Sequence, residues 1–131
     1  RNAMLDYDAY YKAVNGQVND LFYYYREQAA LKARQYQRAL DDIVKAVELS
    51  PKDLTYRAEH AVVNLRVGRY EESMKILNEI LKDEPKYGEA YRLLGLCQIQ
   101  LKKTDEACGN FNKAKELGDP NVDELIKKYC K

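Results

Sequence analysis

The sequence predicts an all-α protein built from repeated pairs of helices. Two observations support this prediction. Motifs recur every 34 residues, and each unit holds two amphipathic segments separated by a short break. The composition agrees, because 131 residues with 46% hydrophobic and 33% charged side chains, but only three prolines, suit one helical domain rather than a disordered chain.

The repeat is visible in several columns of the sequence. Pro51 and Pro85 lie 34 residues apart, and so do Tyr36 and Tyr70. Three further columns hold Ala39/Ser73/Ala107, Ile43/Leu77/Phe111 and Ala46/Ile80/Ala114. Small side chains allow two helices to cross closely, and the large ones recur one turn further on. The columns therefore predict helix hairpins that pack in the same way each time.

Three hairpins follow from this register, as units 20–53, 54–87 and 88–119. We predict first helices over 20–33, 54–67 and 88–101, and second helices over 36–49, 70–83 and 104–117. The breaks within the hairpins are Arg34-Gln35, Gly68 and Lys102-Lys103. Pro51 and Pro85 fall between hairpins, where no helical N–H group is lost.

Both ends of the chain are predicted to be helical. Residues 1–15 have the pattern of the second helix of a truncated upstream unit, with Asn15-Gly16 as its stop. Gly118-Asp119-Pro120 ends the third unit and introduces a capping helix over 120–131. We expect the chain to come from a longer protein, with any targeting signal upstream of Arg1.

Composition disfavours membrane insertion and general attraction to nucleic acid. No apolar run approaches the roughly 18 residues of a membrane-spanning helix. The formal net charge is only +1, from 22 basic and 21 acidic residues. The chain has three cysteines, Cys97, Cys108 and Cys130, without C-x-x-C spacing, so we expect free, mostly buried thiols. The compartment stays open, and free thiols favour a soluble cytoplasmic protein.

The repeated unit resembles that of the tetratricopeptide repeat (TPR) family. The resemblance covers residues 20–117, and Tyr91, Leu94 and Gly95 reproduce the family's opening aromatic and Leu-Gly signature. It implies a right-handed α-solenoid of three TPR hairpins, in which the first helices line a concave groove. The second unit departs from the pattern, with Arg57 in the aromatic column and His60 in the leucine column.

The first unit also departs from the family pattern, because Arg26-Glu27 replaces Leu-Gly. A buried carboxylate at a close helix crossing is unfavourable unless it is paired. We therefore expect Glu27 to meet Arg26 or another arginine, or the first hairpin to open slightly.

Catalysis is not expected. The only histidine, His60, falls in a core column, and no serine or cysteine has a context that pairs with it. No glycine-rich phosphate loop or metal-ligand spacing appears, so no cofactor and no metal are expected. Sequence-reading of RNA is also disfavoured, because Glu59 and Glu89 interrupt the basic residues that such a groove needs.

The TPR resemblance implies that the groove binds a protein or peptide segment. The groove positions are Tyr24, Gln28 and Lys32 in the first unit, Val62 and Arg66 in the second, and Arg92, Leu96 and Gln100 in the third. An apolar middle with cations at its edge predicts an apolar or amphipathic partner with some acidic character. The alternative is a structural or self-associating segment of a longer TPR protein, possible as a homo-oligomer, with no external peptide ligand.

Some TPR domains hold the C-terminal carboxylate of chaperones with a clamp of Lys and Asn, then Asn, then Lys and Arg. The matching positions here carry Tyr24 and Gln28, then Glu59, then Glu89 and Leu93. The clamp is absent, so the resemblance does not imply a chaperone-tail adaptor.

Overall fold

The computed structural model describes residues 3–131, which form eight α-helices and no strand. The helices are α1 (Ala3–Ala13), α2 (Asp20–Lys32), α3 (Tyr36–Leu49), α4 (Leu54–Arg66), α5 (Tyr70–Asp83), α6 (Gly88–Gln100), α7 (Thr104–Glu116) and α8 (Asp123–Tyr129). The all-α prediction is confirmed, and α2 to α7 end within one residue of their predicted limits. The capping helix begins later than predicted, and residues 1 and 2 of the predicted N-terminal helix lie outside the described part.

The turn inside each predicted hairpin has the same backbone conformation. Arg34, Gly68 and Lys102, spaced by the repeat period, have φ angles of 59°, 86° and 63° in the left-handed region. The N–H groups of Gln35, Arg69 and Lys103 donate to the carbonyls of Ala30, Asn64 and Gln98, each at 2.8 Å. The repeat in the sequence is therefore also a repeat in local structure.

Two compact units divide the chain within α4, and the first is Arg1–Val63. Here α2 packs against α1 and α3. Its core contains Met4, Tyr23, Ala30, Leu31, Ala39, Ile43, Ala46, Tyr56 and Val63. The Asn19 side chain accepts a hydrogen bond from the Phe22 N–H group at 3.1 Å and so caps α2, and Asp53 does the same for Tyr56 at 3.0 Å.

Four consecutive aromatic rings, residues 22–25, point around α2 rather than forming one platform. Tyr23 is buried, and the Phe22 ring meets it edge-on with centroids 5.9 Å apart. Tyr24 lies against Tyr56 of α4 at 5.2 Å, whereas Tyr25 remains half exposed. Most of this aromatic run therefore packs the first unit.

The second unit is Asn64–Lys131, in which α6 packs against α5 and α7, and α8 packs against α7. Phe111 of α7 is fully buried together with Ala107, Ala114 and Val122. Gly95 of α6 faces this ring, and a Cβ atom at Gly95 would lie 2.4 Å from Phe111 Cε1. The glycine of the Leu-Gly signature thus permits the close approach of α6 and α7.

We expect Gly95→Ala to lower the free energy of unfolding by about 1–3 kcal/mol, because the added Cβ atom would overlap the fully buried Phe111 ring. Urea unfolding measures the loss. The matched control is Gly109→Ala on α7, where an added Cβ meets nothing within 4 Å and the substitution should stabilise the helix. Equal effects of the two variants would contradict the close approach. In addition, Phe111→Leu should lower the free energy of unfolding less in the Gly95→Ala background than in wild type.

The prediction of three free thiols is wrong for two of them. Cys108 of α7 and Cys130 form a disulfide, with Cα atoms 5.7 Å apart. Cys97 is free and buried, as expected. The pair is separated by 22 positions in sequence and meets only because α8 folds back onto α7. No local spacing rule signals such a pairing.

Candidate functional site

The three predicted groove residues of α2 share one face of that helix. Tyr24, Gln28 and Lys32 follow one another at intervals of four, which stacks them along the helix. Tyr24 and Gln28 are half-buried and Lys32 is exposed. Burial, followed by the negative charge of Glu59, raises the pKa of Tyr24, and a hydrogen bond with the Gln28 side chain opposes this rise. The row thus offers an aromatic ring, an amide and a cation.

Two cavities open between α1 and α2 in the first unit. One, of about 420 Å³, is lined by Gln28 and Lys32 together with Met4 and Tyr7. The other, of about 640 Å³, is lined by eight uncharged residues, among them Tyr7, Phe22 and Tyr25. The predicted groove residues Gln28 and Lys32 therefore border a real concavity, and its other wall is the tyrosine-rich α1.

The two predicted groove residues of α4 differ in exposure. Val62 is half-buried and belongs to the first unit. Arg66, the last residue of α4, is exposed and belongs to the second unit.

The three predicted residues of α6 also share a face, but two of them already have partners within the second unit. Leu96 packs against the core around Phe111. The Arg92 Nε atom lies 3.2 and 3.1 Å from the two carboxylate oxygens of Asp119, and its side chain is only 16% exposed. Gln100 is exposed. Arg92 and Leu96 therefore both stabilise the unit itself.

A buried carboxyl group lies one helical position from Gln28. Glu27 has no exposed surface. Burial, and next the neighbouring Glu59 of α4, raise the pKa of Glu27 to about 10, so at neutral pH it is an uncharged carboxylic acid. Neither Glu27 carboxyl oxygen has a hydrogen-bond partner among the described residues, so burial is the main cause of this rise.

The expectation that Glu27 pairs with an arginine is wrong, because Arg26 binds Asp42 of α3 instead. The Arg26 Nε and Nη2 atoms each lie 2.8 Å from an Asp42 carboxylate oxygen, in a bidentate pair. The two side chains are 14% and 6% exposed. The guanidinium also lies over the Tyr11 ring, 4.8 Å from its centroid. Successive residues point about 100° apart on a helix, so Arg26 cannot also serve Glu27.

A third polar cluster joins the start of α2 to α4. The Ser50 and Tyr56 hydroxyl groups both donate to Asp20 Oδ2, at 2.8 and 3.0 Å. These two hydrogen bonds lower the pKa of Asp20. None of the three polar clusters was predicted, because each joins residues that are far apart in sequence.

The described residues contain no group of three or more His, Cys, Asp or Glu side chains that could hold a metal ion. None of the described helices has the length and apolar character needed to cross a membrane.

Comparison with known proteins identifies the family. A family model described as "Tetratricopeptide repeat" matches residues 28–83 and 59–122, which together make up more than half of the chain. The chain belongs to the tetratricopeptide repeat family. The resemblance stated from the sequence is thereby confirmed, and with it the all-α, helical-repeat fold.

Several TPR proteins are similar in sequence. Small glutamine-rich tetratricopeptide repeat-containing protein 2 of Mycosarcoma maydis is 29% identical over 99 residues, which are 76% of this chain and 28% of that protein. Heat shock protein STI1 of Saccharomyces cerevisiae is 31% identical over 101 residues, which are 74% of this chain and 17% of that protein. The TPR chain thus spans less than a third of the length of each relative.

A solved TPR structure agrees with the fold. The first TPR of Spaghetti (RPAP3), bound to the HSP90 peptide SRMEEVD, superposes with a TM-score of 0.73 and 19% identity, over 85% of this chain and 90% of that one. At this identity the likeness concerns the fold alone.

Proposed function

We propose that this TPR chain is a non-catalytic scaffold that binds a protein or peptide segment through its predicted groove residues. The observation that carries the proposal is the row on α2. Tyr24, Gln28 and Lys32 stay accessible on one face, beside a cavity, while other residues of the same helix fill the core. TPR first helices use such faces for recognition.

The proposed partner is an apolar or amphipathic segment with some acidic character. Within the first unit, Tyr24 and Val62 supply apolar contact and the exposed Lys32 supplies positive charge; in the second unit Arg66 is also exposed. Arg92 is held by Asp119, so we assign it a smaller part in recognising acidic groups than Lys32. The clamp positions carry Glu59 and Glu89 rather than cations, and we therefore propose that a peptide such as SRMEEVD binds poorly.

Peptides selected against the wild-type chain from a random display library should bind the double variant Lys32→Glu/Val62→Glu about tenfold or more weakly. Both changes place negative charge on the proposed surface of the first unit. Fluorescence anisotropy gives the dissociation constants, and circular dichroism verifies that the variant remains helical. SRMEEVD serves as a comparison peptide and should bind more weakly than the selected ones.

The matched control for this experiment is Lys45→Glu on the second helix α3, where Lys45 is 52% exposed. It carries the same charge reversal as Lys32→Glu and should leave binding unchanged. The assignment of the surface is wrong if selected peptides bind both altered chains equally well.

The second candidate function, self-association, is favoured by a specific observation. Four large apolar side chains near α1 and α2 are 47–66% exposed, namely Leu5, Tyr10, Leu21 and Tyr25. Light scattering over a range of concentrations separates the candidates, because a self-associating chain dissociates on dilution and a peptide-binding monomer does not change.

We also propose that the TPR repeats are 20–53, 54–87 and 88–119. In this proposal residues 1–15 belong to an upstream repeat, and residues 120–131 cap the array. The recurring turn at Arg34, Gly68 and Lys102 supports this division.

A further inference from the structure

The last helix is held to the second unit by the disulfide between Cys108 and Cys130. Helix α8 has only seven residues, and Cys130 follows directly after it. Val122, just before α8, is fully buried, and the Tyr129 ring stacks on Phe111 with centroids 6.4 Å apart. The disulfide therefore closes the chain segment that contains α8. Both ends of this segment, Val122 and Tyr129, contact α7.

Packing alone holds α8 weakly. No residue of α8 is buried, and its apolar side chains Leu125 and Ile126 are only half-buried against α7. Isolated helices shorter than roughly 12 residues are marginal in water. A covalent tie at Cys130 thus has a large share in keeping α8 in place.

We propose that the Cys108–Cys130 disulfide is a reversible redox latch that keeps α8 on α7 when oxidised and releases it when reduced. Both cysteines are partly exposed, so a reductant reaches the bond without opening the unit. Cys97 is fully buried, and burial raises the pKa of its thiol, which keeps it out of exchange. The inference is independent of the proposed peptide binding.

The chemistry is a two-electron thiol–disulfide exchange with a dithiol. One thiolate of the dithiol attacks Cys108 or Cys130 and breaks the S–S bond, which leaves a mixed disulfide and one cysteine thiolate. The second thiol of the reductant then displaces the remaining cysteine. The dithiol ends as a disulfide, and Cys108 and Cys130 end as two thiols that have gained two electrons and two protons.

The test equilibrates the folded chain in buffers of reduced and oxidised dithiothreitol and counts thiols by alkylation and mass spectrometry. We expect one alkylated cysteine, Cys97, after denaturation of the oxidised chain, and three after reduction. We expect amide hydrogen exchange in residues 123–129 to become roughly 100-fold faster on reduction, as estimated for opening a loop of this size. Exchange elsewhere in α6 and α7 should change little.

Two variants complete the test. Cys130→Ser should show the fast exchange of α8 in both buffers, whereas Cys97→Ser should still switch between slow and fast exchange. The latch is refuted if oxidising buffer leaves three reactive thiols, if the bond is reduced only when the whole chain unfolds, or if exchange in α8 is the same in both buffers.

Discussion

Glu27→Gln should make the chain more stable than wild type at about pH 8, by about 2 kcal/mol or more. The folded chain holds the Glu27 proton up to about pH 10, whereas the unfolded chain loses it near the ordinary value of 4.5. The pKa of Glu27 is higher in the folded chain than in the unfolded chain. The contribution of Glu27 to the free energy of unfolding is therefore complete below its unfolded-state pKa and is lost as the pH rises through its folded-state pKa. The glutamine side chain of the variant would keep the shape of the neutral acid without this proton uptake.

The measurement is the free energy of urea unfolding of wild type and variant across roughly pH 5 to pH 9. The difference between them should grow with pH by up to about 1.4 kcal/mol per pH unit. The matched control is Glu48→Gln, in which an exposed carboxylate on α3 is neutralised. A difference for Glu27→Gln that stays constant over this range would show that Glu27 is charged in the folded chain.

The second large effect is expected at Arg26. Arg26→Met should lower the free energy of unfolding by about 3–5 kcal/mol, because it leaves the Asp42 carboxylate buried without its bidentate partner. Arg26→Met/Asp42→Leu should recover much of this loss, because no unpaired charge then remains. Thermal and urea unfolding of four chains, namely wild type, Arg26→Met, Asp42→Leu and the double variant, form a double-mutant cycle that isolates the coupling between Arg26 and Asp42.

Arg38→Met is the control for the Arg26 experiment. Arg38 also pairs with an acid, Asp8, but its side chain is 43% exposed. A surface pair of this kind contributes about 0–1 kcal/mol, so its removal should be nearly neutral. If Arg26→Met and Arg38→Met have equal effects, burial does not set the strength of the Arg26–Asp42 pair.

The sequence predicted those features that recur with the repeat. The limits of α2 to α7, the breaks near Arg34, Gly68 and Lys102, and the burial of Ala39 and Phe111 all follow from the period and from local helix signals. The period predicts these features because every hairpin packs with the same spacing of small and large side chains.

Features that break the repeat were missed or mistaken. Glu27 occupies the repeat position that Gly95 occupies in the third unit. Its neighbour, Glu59, comes from α4, and the repeat pattern does not predict which residue of α4 this is. The pairing of Arg92 with Asp119 likewise joins residues 27 positions apart. Such contacts depend on the crossing of two helices, and a single sequence carries no periodic signal for them. The groove residues themselves stay a prediction until a ligand is tested.

The left-handed turns inside the hairpins also bear on helix electrostatics. At two of the three positions the chain uses Arg34 and Lys102 rather than glycine, although a non-glycine residue in this conformation is less favourable by roughly 1–2 kcal/mol. Each of these cations follows the C-terminal end of a helix, where the aligned peptide dipoles leave a partial negative charge. The same position that requires a left-handed backbone is therefore one where a cation is electrostatically favourable, which distinguishes Arg34 and Lys102 from the uncharged Gly68.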